Sequence, residues 1–123
     1  MRLAVTLAPR NSLILVMDRA VGVIPESMAG RLVAATLTCI AVGTKSEHDG
    51  ETSILLSDEA TPSGGGFSPR FDGVLKTPSR RLSVCSVLDE VLLEMSVPSD
   101  EAHVQVWTKD ATEPDNIAIV VIP

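Results

Sequence analysis

Short runs of aliphatic residues, many of them β-branched, recur along the chain and are separated by glycine, proline and acidic residues. Residues 13–17 and 117–122 are the longest such runs, far below the ~20 apolar residues that a membrane-spanning helix needs. Branching at Cβ restricts the side-chain rotamers that a helix requires, so Val and Ile favour strands. Only Phe67, Phe71 and Trp107 are aromatic, so the core must be aliphatic. The pattern predicts many short strands joined by turns.

Several segments fit strands by length and patterning. Residues 102–107 alternate strictly between apolar and polar, which places Trp107 on one face with His103 and Gln105, away from the aliphatic face. The other segments predicted as strands are 13–17, 37–42, 53–57, 82–87, 91–97 and 117–122.

Two segments also permit helices. Pro25 and Glu26 begin a pattern that fits a short helix over 26–35, although Gly30 weakens it. Residues 86–96 fit either two strands or a helix with a capping box at Ser86, and we favour strands. The stretch from Asp58 to Asp72, with three consecutive glycines, predicts a long loop.

The 123 residues are enough for one domain with its own core, and residues 1–123 show no repeat or linker that would divide them. Strands follow one another without regularly alternating helices. The sequence therefore predicts a mainly β, single-domain antiparallel β-sandwich or open barrel with at most one or two short helices.

Ten Lys and Arg residues against sixteen Asp and Glu residues give a formal charge of −6. This charge disfavours binding to nucleic acid or to anionic membranes, and it favours encounter with a basic partner. Because we recognise no signal peptide, we expect a soluble cytoplasmic protein. Cys39 and Cys85 lie in apolar stretches, which is typical of buried free thiols in a reducing compartment rather than of a disulfide.

The residue types that commonly serve in catalysis or metal binding do not form a recognisable motif in this sequence. His48 and His103 are the only histidines, and there is no Gly-x-Ser-x-Gly sequence. Residues 47–51 combine two glutamates, a histidine and an aspartate, but Asp49-Gly50 is itself a strong turn signal. The glycine triplet lacks the ending of a phosphate-binding loop. We therefore predict a protein that is not an enzyme, with no catalytic residue, no metal ligand and no cofactor.

A candidate interaction surface is predicted instead. Trp107 would anchor a partner if it is exposed, and the alternative is that it lies beneath the glycine-rich loop. A group of basic residues could receive an anionic ligand or an acidic partner segment. The candidate surface comprises Trp107, His103, Gln105, Arg70, Lys76, Arg80 and Arg81.

The run Phe71-Asp72-Gly73-Val74-Leu75-Lys76-Thr77-Pro78, together with residues 82–95 and 102–107, resembles the competence protein J family. The shared features are a strand, a Ser-x-x-Asp step at Ser86, an acidic-aliphatic strand ending near Pro98 and an amphipathic strand before the terminal one. Proteins of that family are described as inhibitors of a DNA-entry nuclease. The resemblance implies a β-rich, acidic module that binds another protein.

These observations favour a non-catalytic protein-binding module that inhibits a nuclease or toxin-like partner. The alternative is a β-fold protein that binds a small ligand or an anion through Arg70, Lys76, Arg80 or Arg81. An enzyme using His48 or His103 ranks third. The sequence leaves the partner's identity and self-association open.

Overall fold

A computed structural model describes residues 1–59, 62 and 65–122. About half of the chain is strand, and within the described residues the only helical element is a single 3-10 turn at Arg10–Ser12. The strands are β1 (Arg2–Leu7), β2 (Leu13–Met17), β3 (Val33–Ala35), β4 (Cys39–Gly43), β5 (Thr52–Ser57), β6 (Ser68–Lys76), β7 (Arg81–Cys85), β8 (Val91–Ser96), β9 (Glu101–Thr108) and β10 (Asn116–Ile122).

The strands form two five-stranded sheets. Sheet A has the order β1-β5-β10-β9-β6, and sheet B has the order β3-β4-β2-β7-β8. Neighbouring strands are antiparallel except β5 and β10, which run parallel at the middle of sheet A. The predicted mainly β fold is confirmed, and of the two predicted architectures the sandwich is correct, because the sheets do not close into a barrel.

One aliphatic core fills the space between the sheets. The inward-facing residues alternate along each strand, as the period of two requires, and fully buried ones include Val104 and Val106 of β9. The partly buried Phe71 packs against this core from β6, and Gly73 makes room for its ring. A Cβ on Gly73 would lie 2.8 Å from the Phe71 ring.

A second, smaller apolar cluster covers the outer face of sheet B. It joins Leu15 and Met17 of β2 to Cys39, Ala41 and Cys85 on the flanking strands. Met28 packs onto it, because the connection from β2 to β3 folds back over the sheet. Both faces of sheet B are therefore apolar, which explains the uninterrupted aliphatic sequence of β2.

The carboxylate of Asp18 fixes the end of β2. It is buried, and it accepts hydrogen bonds from the backbone N–H of Ala20 at 3.0 Å and of Ser79 at 2.7 Å. Burial raises the pKa of Asp18, but hydrogen bonds from the Ser79 side chain and from the Ser79 and Ala20 backbones outweigh burial and hold that pKa below its ordinary value. Asp18 thereby ties β2 to the turn between β6 and β7.

The helix permitted over residues 26–35 does not form. Ala29 and Gly30 have positive φ angles of 51° and 73°, which end any right-handed helical turn. Residues 33–35 instead form β3 at the edge of sheet B. The weak helical pattern was overridden by pairing with β4.

Residues 86–96 form the turn and second strand of a hairpin, as favoured above. The Ser86 hydroxyl does accept backbone N–H groups, from Leu88 at 3.2 Å and Glu90 at 3.3 Å. Because Asp89 has a positive φ of 62°, these bonds close a turn instead of starting a helix.

Several boundaries differ from the sequence prediction. The strand β1 has no counterpart among the predicted segments, and β6 begins at Ser68, inside the predicted long loop. The predicted strand 37–42 begins only at Cys39. Leu37 lies in the turn before it, and the Leu37 carbonyl accepts a hydrogen bond from the N–H of Lys76 at 2.9 Å. Ala60, Thr61, Ser63 and Gly64 of that loop lie outside the described residues. No helix in the described part of the chain is long and apolar enough to cross a membrane.

Candidate interaction surface

The outer face of sheet A carries a chain of hydrogen-bonded side chains from β6 and β9. Strict alternation in β9 places Ala102, Val104 and Val106 in the core, so that the intervening His103, Gln105 and Trp107 face outward. Antiparallel pairing sets Asp72 of β6 directly opposite Gln105. We call Asp72, His103, Gln105 and Trp107 the Asp72 network.

Each side chain of the Asp72 network contacts the next. The indole N–H of Trp107 donates to Gln105 Oε1 at 3.1 Å, and Gln105 Nε2 donates to Asp72 Oδ2 at 2.7 Å. His103 Nε2 lies 2.5 Å from Asp72 Oδ1 and acts as the donor, because an ionised carboxylate only accepts. Both carboxylate oxygens of Asp72 are thus engaged, and the three other side chains are held in defined positions.

Hydrogen bonds from Gln105 and then from His103 lower the pKa of Asp72, since they stabilise its charged form. Asp72 therefore remains ionised at neutral pH. Its side chain is 56% exposed and that of His103 is 44% exposed, so the carboxylate and the imidazole are both accessible to a partner.

Apolar groups lie within the Asp72 network and beside it. Trp107 is half-buried, and Val74, which pairs with His103 in the sheet register, is exposed. Ala118 and Val120 of β10 pair with Trp107 and Gln105 and are fully buried beside these larger side chains. The surface thus combines an aromatic ring, an aliphatic side chain and a fixed carboxylate, a composition common in protein interfaces.

The Asp72 network places a histidine beside a carboxylate, without an adjoining side-chain hydroxyl or thiol among the described residues. A histidine-carboxylate pair can serve as a general base, but nucleophilic catalysis also needs a hydroxyl or thiol within hydrogen-bond reach. In the described part of the chain, the only hydrogen-bond partner of the His103 side chain is Asp72. The two thiols lie in sheet B, where burial raises the pKa of both Cys39 and Cys85 to about 11.

The four basic residues of the candidate surface do not form one site. Arg70 occupies the bulge of β6, and its Nε donates to Thr108 Oγ1 at 2.9 Å. Lys76 lies at the other end of β6, roughly 20 Å away at about 3.3 Å per residue, and it pairs with Glu101 at 2.9 Å.

Arg80 lies in the turn before β7, and Arg81 is the first residue of β7. Arg81 pairs with Glu94 across sheet B at 2.8 Å, whereas the exposed Arg80 adopts a positive φ of 60°. The carboxylate partners offset the charges of Lys76 and Arg81, so the four residues do not form one anion-binding site, and binding of an anion by Arg70, Lys76, Arg80 or Arg81 stays a prediction.

The acidic turn at residues 47–51 forms the connection between β4 and β5. The backbone N–H of Asp49 donates to the Ser46 carbonyl at 2.9 Å, and Glu47 Oε1 accepts from the Asn11 N–H at 3.4 Å. Among the described residues, no group of three or more His, Cys, Asp or Glu side chains is arranged to hold a metal ion.

Two features of this face are missing from the sequence prediction. Asp72 was not among the candidate residues, because its role depends on the register between β6 and β9. Lys109 lies 5.1 Å above the ring of Phe67, which follows the glycine triplet and adjoins the outer face of sheet A. The sequence signal available for Asp72 was an acidic side chain between Phe71 and Gly73, which face the core.

No protein-family model matches this chain, and no curated protein sequence does. Two solved structures share its fold. The chain is similar to ComJ, inhibitor of the DNA degrading activity of NucA, from Bacillus subtilis, with 12% identity and a TM-score of 0.69 over 98% of this chain and 94% of that one. It is also similar to the product of crocagin biosynthetic gene J, with 13% identity and a TM-score of 0.56 over 99% and 95% of the two chains. The resemblance inferred from the C-terminal half is confirmed as a likeness of fold that extends over nearly the whole chain.

Proposed function

We propose that this chain is a non-catalytic protein-binding module that inhibits the DNA-degrading activity of a nuclease. The observation that carries the proposal is the likeness of fold to ComJ over nearly the full length of both chains, since ComJ is an inhibitor of that kind. The likeness supports a protein partner, and the choice of a nuclease is our inference.

The charge of the chain supports the same partner class. An enzyme that degrades DNA binds a polyanion, and such surfaces are lined by Lys and Arg. A chain with a formal charge of −6 is attracted to such a surface and is repelled by the DNA itself. Electrostatic attraction of this kind accelerates association and decreases with added salt.

The Asp72 network is the surface that we assign to the partner. Trp107 supplies an aromatic group whose orientation is already fixed by its bond to Gln105, so little conformational entropy is lost on docking. Asp72 supplies an accessible negative charge for a Lys or Arg of the partner. We propose His103 and Gln105 as the residues that hold these two groups in place.

The test uses the purified chain as bait in an extract of its own organism. We expect a nuclease to be retained at low salt, and we expect DNA degradation by the eluted nuclease to fall when the purified chain is added back in increasing amounts. Trp107→Ala should weaken the inhibition at least tenfold, which is the usual effect of removing an interface anchor.

Leu88→Ala is the matched control, because Leu88 is an exposed apolar residue on the hairpin turn of sheet B. It should inhibit as well as the unaltered chain. If the retained proteins have no DNA-degrading activity, or if their activity is unaffected by the added chain, the proposal is wrong.

A further inference from the structure

A pocket opens between the two sheets at the end of the sandwich where β8 connects to β9. Its floor is formed by core residues, namely Met95 and Val97 from the sheet B side and Ala102 and Val121 from sheet A. The volume is about 280 Å³. This volume is just below the about 300 Å³ at which small-molecule pockets begin, so the pocket has room for a ligand of fragment size.

Three hydrogen bonds hold the wall of the pocket in place. The Thr77 N–H donates to the Asp100 carbonyl at 2.7 Å, and the Thr77 hydroxyl donates to the Ser99 carbonyl at 2.9 Å. The Val97 N–H donates to the Arg80 carbonyl at 2.9 Å. Because the connection between β8 and β9 is held by these three bonds, the pocket exists before any ligand arrives, and a ligand need not order it.

Among the described residues, the ionisable side chains of the lining are carboxylates. Asp58 and Glu101 contribute them, and no Lys, Arg or His of the described residues lines the pocket. Each carboxylate already binds one cation through a single oxygen. Asp58 Oδ1 accepts from the α-ammonium group of Met1 at 2.6 Å, and Glu101 Oε1 accepts from Lys76 Nζ at 2.9 Å. A carboxylate accepts several hydrogen bonds, so each retains capacity for another donor.

We propose that this pocket binds a small aliphatic amine, with the hydrocarbon chain among Met95, Val97 and Val121 and the ammonium group at Asp58 and Glu101. The apolar floor gains from covering its residual exposed surface, and the acidic rim selects the charge of the ligand head group. This site lies apart from the Asp72 network and goes beyond the proposed inhibition of a nuclease.

The test compares three probes with the same six-carbon chain at pH 7, namely hexylamine, hexanol and hexanoate, by following the side-chain methyl signals in NMR spectra. We expect hexylamine to shift the methyl signals of Val97, Val121 and Met95, with binding about tenfold tighter than hexanol, because an ionic hydrogen bond is the stronger kind. Hexanoate should not bind.

Two variants locate the site. Ala102→Phe fills the pocket and should abolish the hexylamine shifts, whereas Ala8→Phe, at an exposed loop position, should retain them. Asp58→Asn leaves the pocket open and should weaken hexylamine but not hexanol, and the exposed Asp49→Asn should change neither. Thermal melting shows that each variant is folded.

Three outcomes would overturn the proposal: equal binding of hexylamine and hexanoate, shifts confined to residues outside the pocket, or no shift with any probe. Loss of amine binding in Asp58→Asn with intact nuclease inhibition would separate this site from the proposed function.

Discussion

The outer faces of the two sheets differ in how far they are covered by the rest of the chain. On sheet B, Leu15, Met17 and their neighbours are covered by the β2–β3 connection and form a second apolar cluster. On sheet A, the outer face carries the Asp72 network, whose carboxylate and imidazole are about half exposed. The same strand geometry thus serves stability on one side and leaves a patterned surface on the other.

This difference shows where substitutions should affect folding and where they should affect binding. Side chains under the β2–β3 connection are enclosed by protein, so their truncation leaves a cavity. Residues of the Asp72 network contact solvent, which replaces lost hydrogen bonds. The following predictions test that division.

The largest expected effect compares two leucines on the two outer faces. Leu15→Ala on sheet B should lower the free energy of unfolding by about 3 kcal/mol, since a buried leucine is replaced by a cavity. Leu55→Ala on sheet A, where the side chain is half-buried, should cost about 1 kcal/mol. Urea denaturation measures both values, and equal losses would contradict the comparison.

An intermediate effect is expected at Asp18, which holds the start of the β2–β3 connection. Asp18→Asn should cost about 2 kcal/mol, because the buried, charged acceptor of two partly buried N–H groups is lost. The folded-state pKa of Asp18 lies below its ordinary value of 3.8, so its carboxylate stabilises the fold above that pH.

The Asp18 contribution is lost as the pH falls through the lowered pKa. The difference in stability between the unaltered chain and Asp18→Asn should therefore be constant near neutral pH and should shrink below about pH 4. Urea denaturation series at several pH values measure it. A difference that grows on acidification would show that burial, and not hydrogen bonding, dominates at this carboxylate.

The smallest effect on stability is expected at Asp72. Asp72→Asn removes the charge that His103 and Gln105 contact, but exposed contacts to a charged group contribute little because water and salt compete. The melting temperature should change by less than about 2 °C, whereas inhibition of the partner should weaken. A large loss of stability would show that the Asp72 network is structural.

Strands with a clear period-two alternation of apolar and polar residues were predictable from the sequence. Residues 102–107 alternate so strictly that the outward position of Trp107, His103 and Gln105 followed from sequence alone. The hairpin around Ser86 was favoured for the same reason, since period-two patterns flank it. Burial on one face is a local property of a strand, and the sequence records it directly.

Features that depend on partners distant in the chain were not predictable. The edge strand β3 forms only because β4 is available for pairing, and β1 pairs with residues 52–57. The contact between Asp72 and His103 requires the exact register of β6 against β9, including a bulge at Arg70. No local pattern contains that information, so the candidate surface was found without its central carboxylate.

The place of β10 in sheet A has a consequence for the synthesis of the chain on the ribosome. Residues 116–122 emerge after every other strand of the described chain, yet they lie in the middle of the sheet and join β5 to β9. Until they arrive, β1 with β5 and β6 with β9 can form only two separate pieces with open edges, which are prone to aggregation. Sheet A therefore completes only after β10 has emerged, whereas every strand of sheet B precedes β9 in the chain and is available earlier.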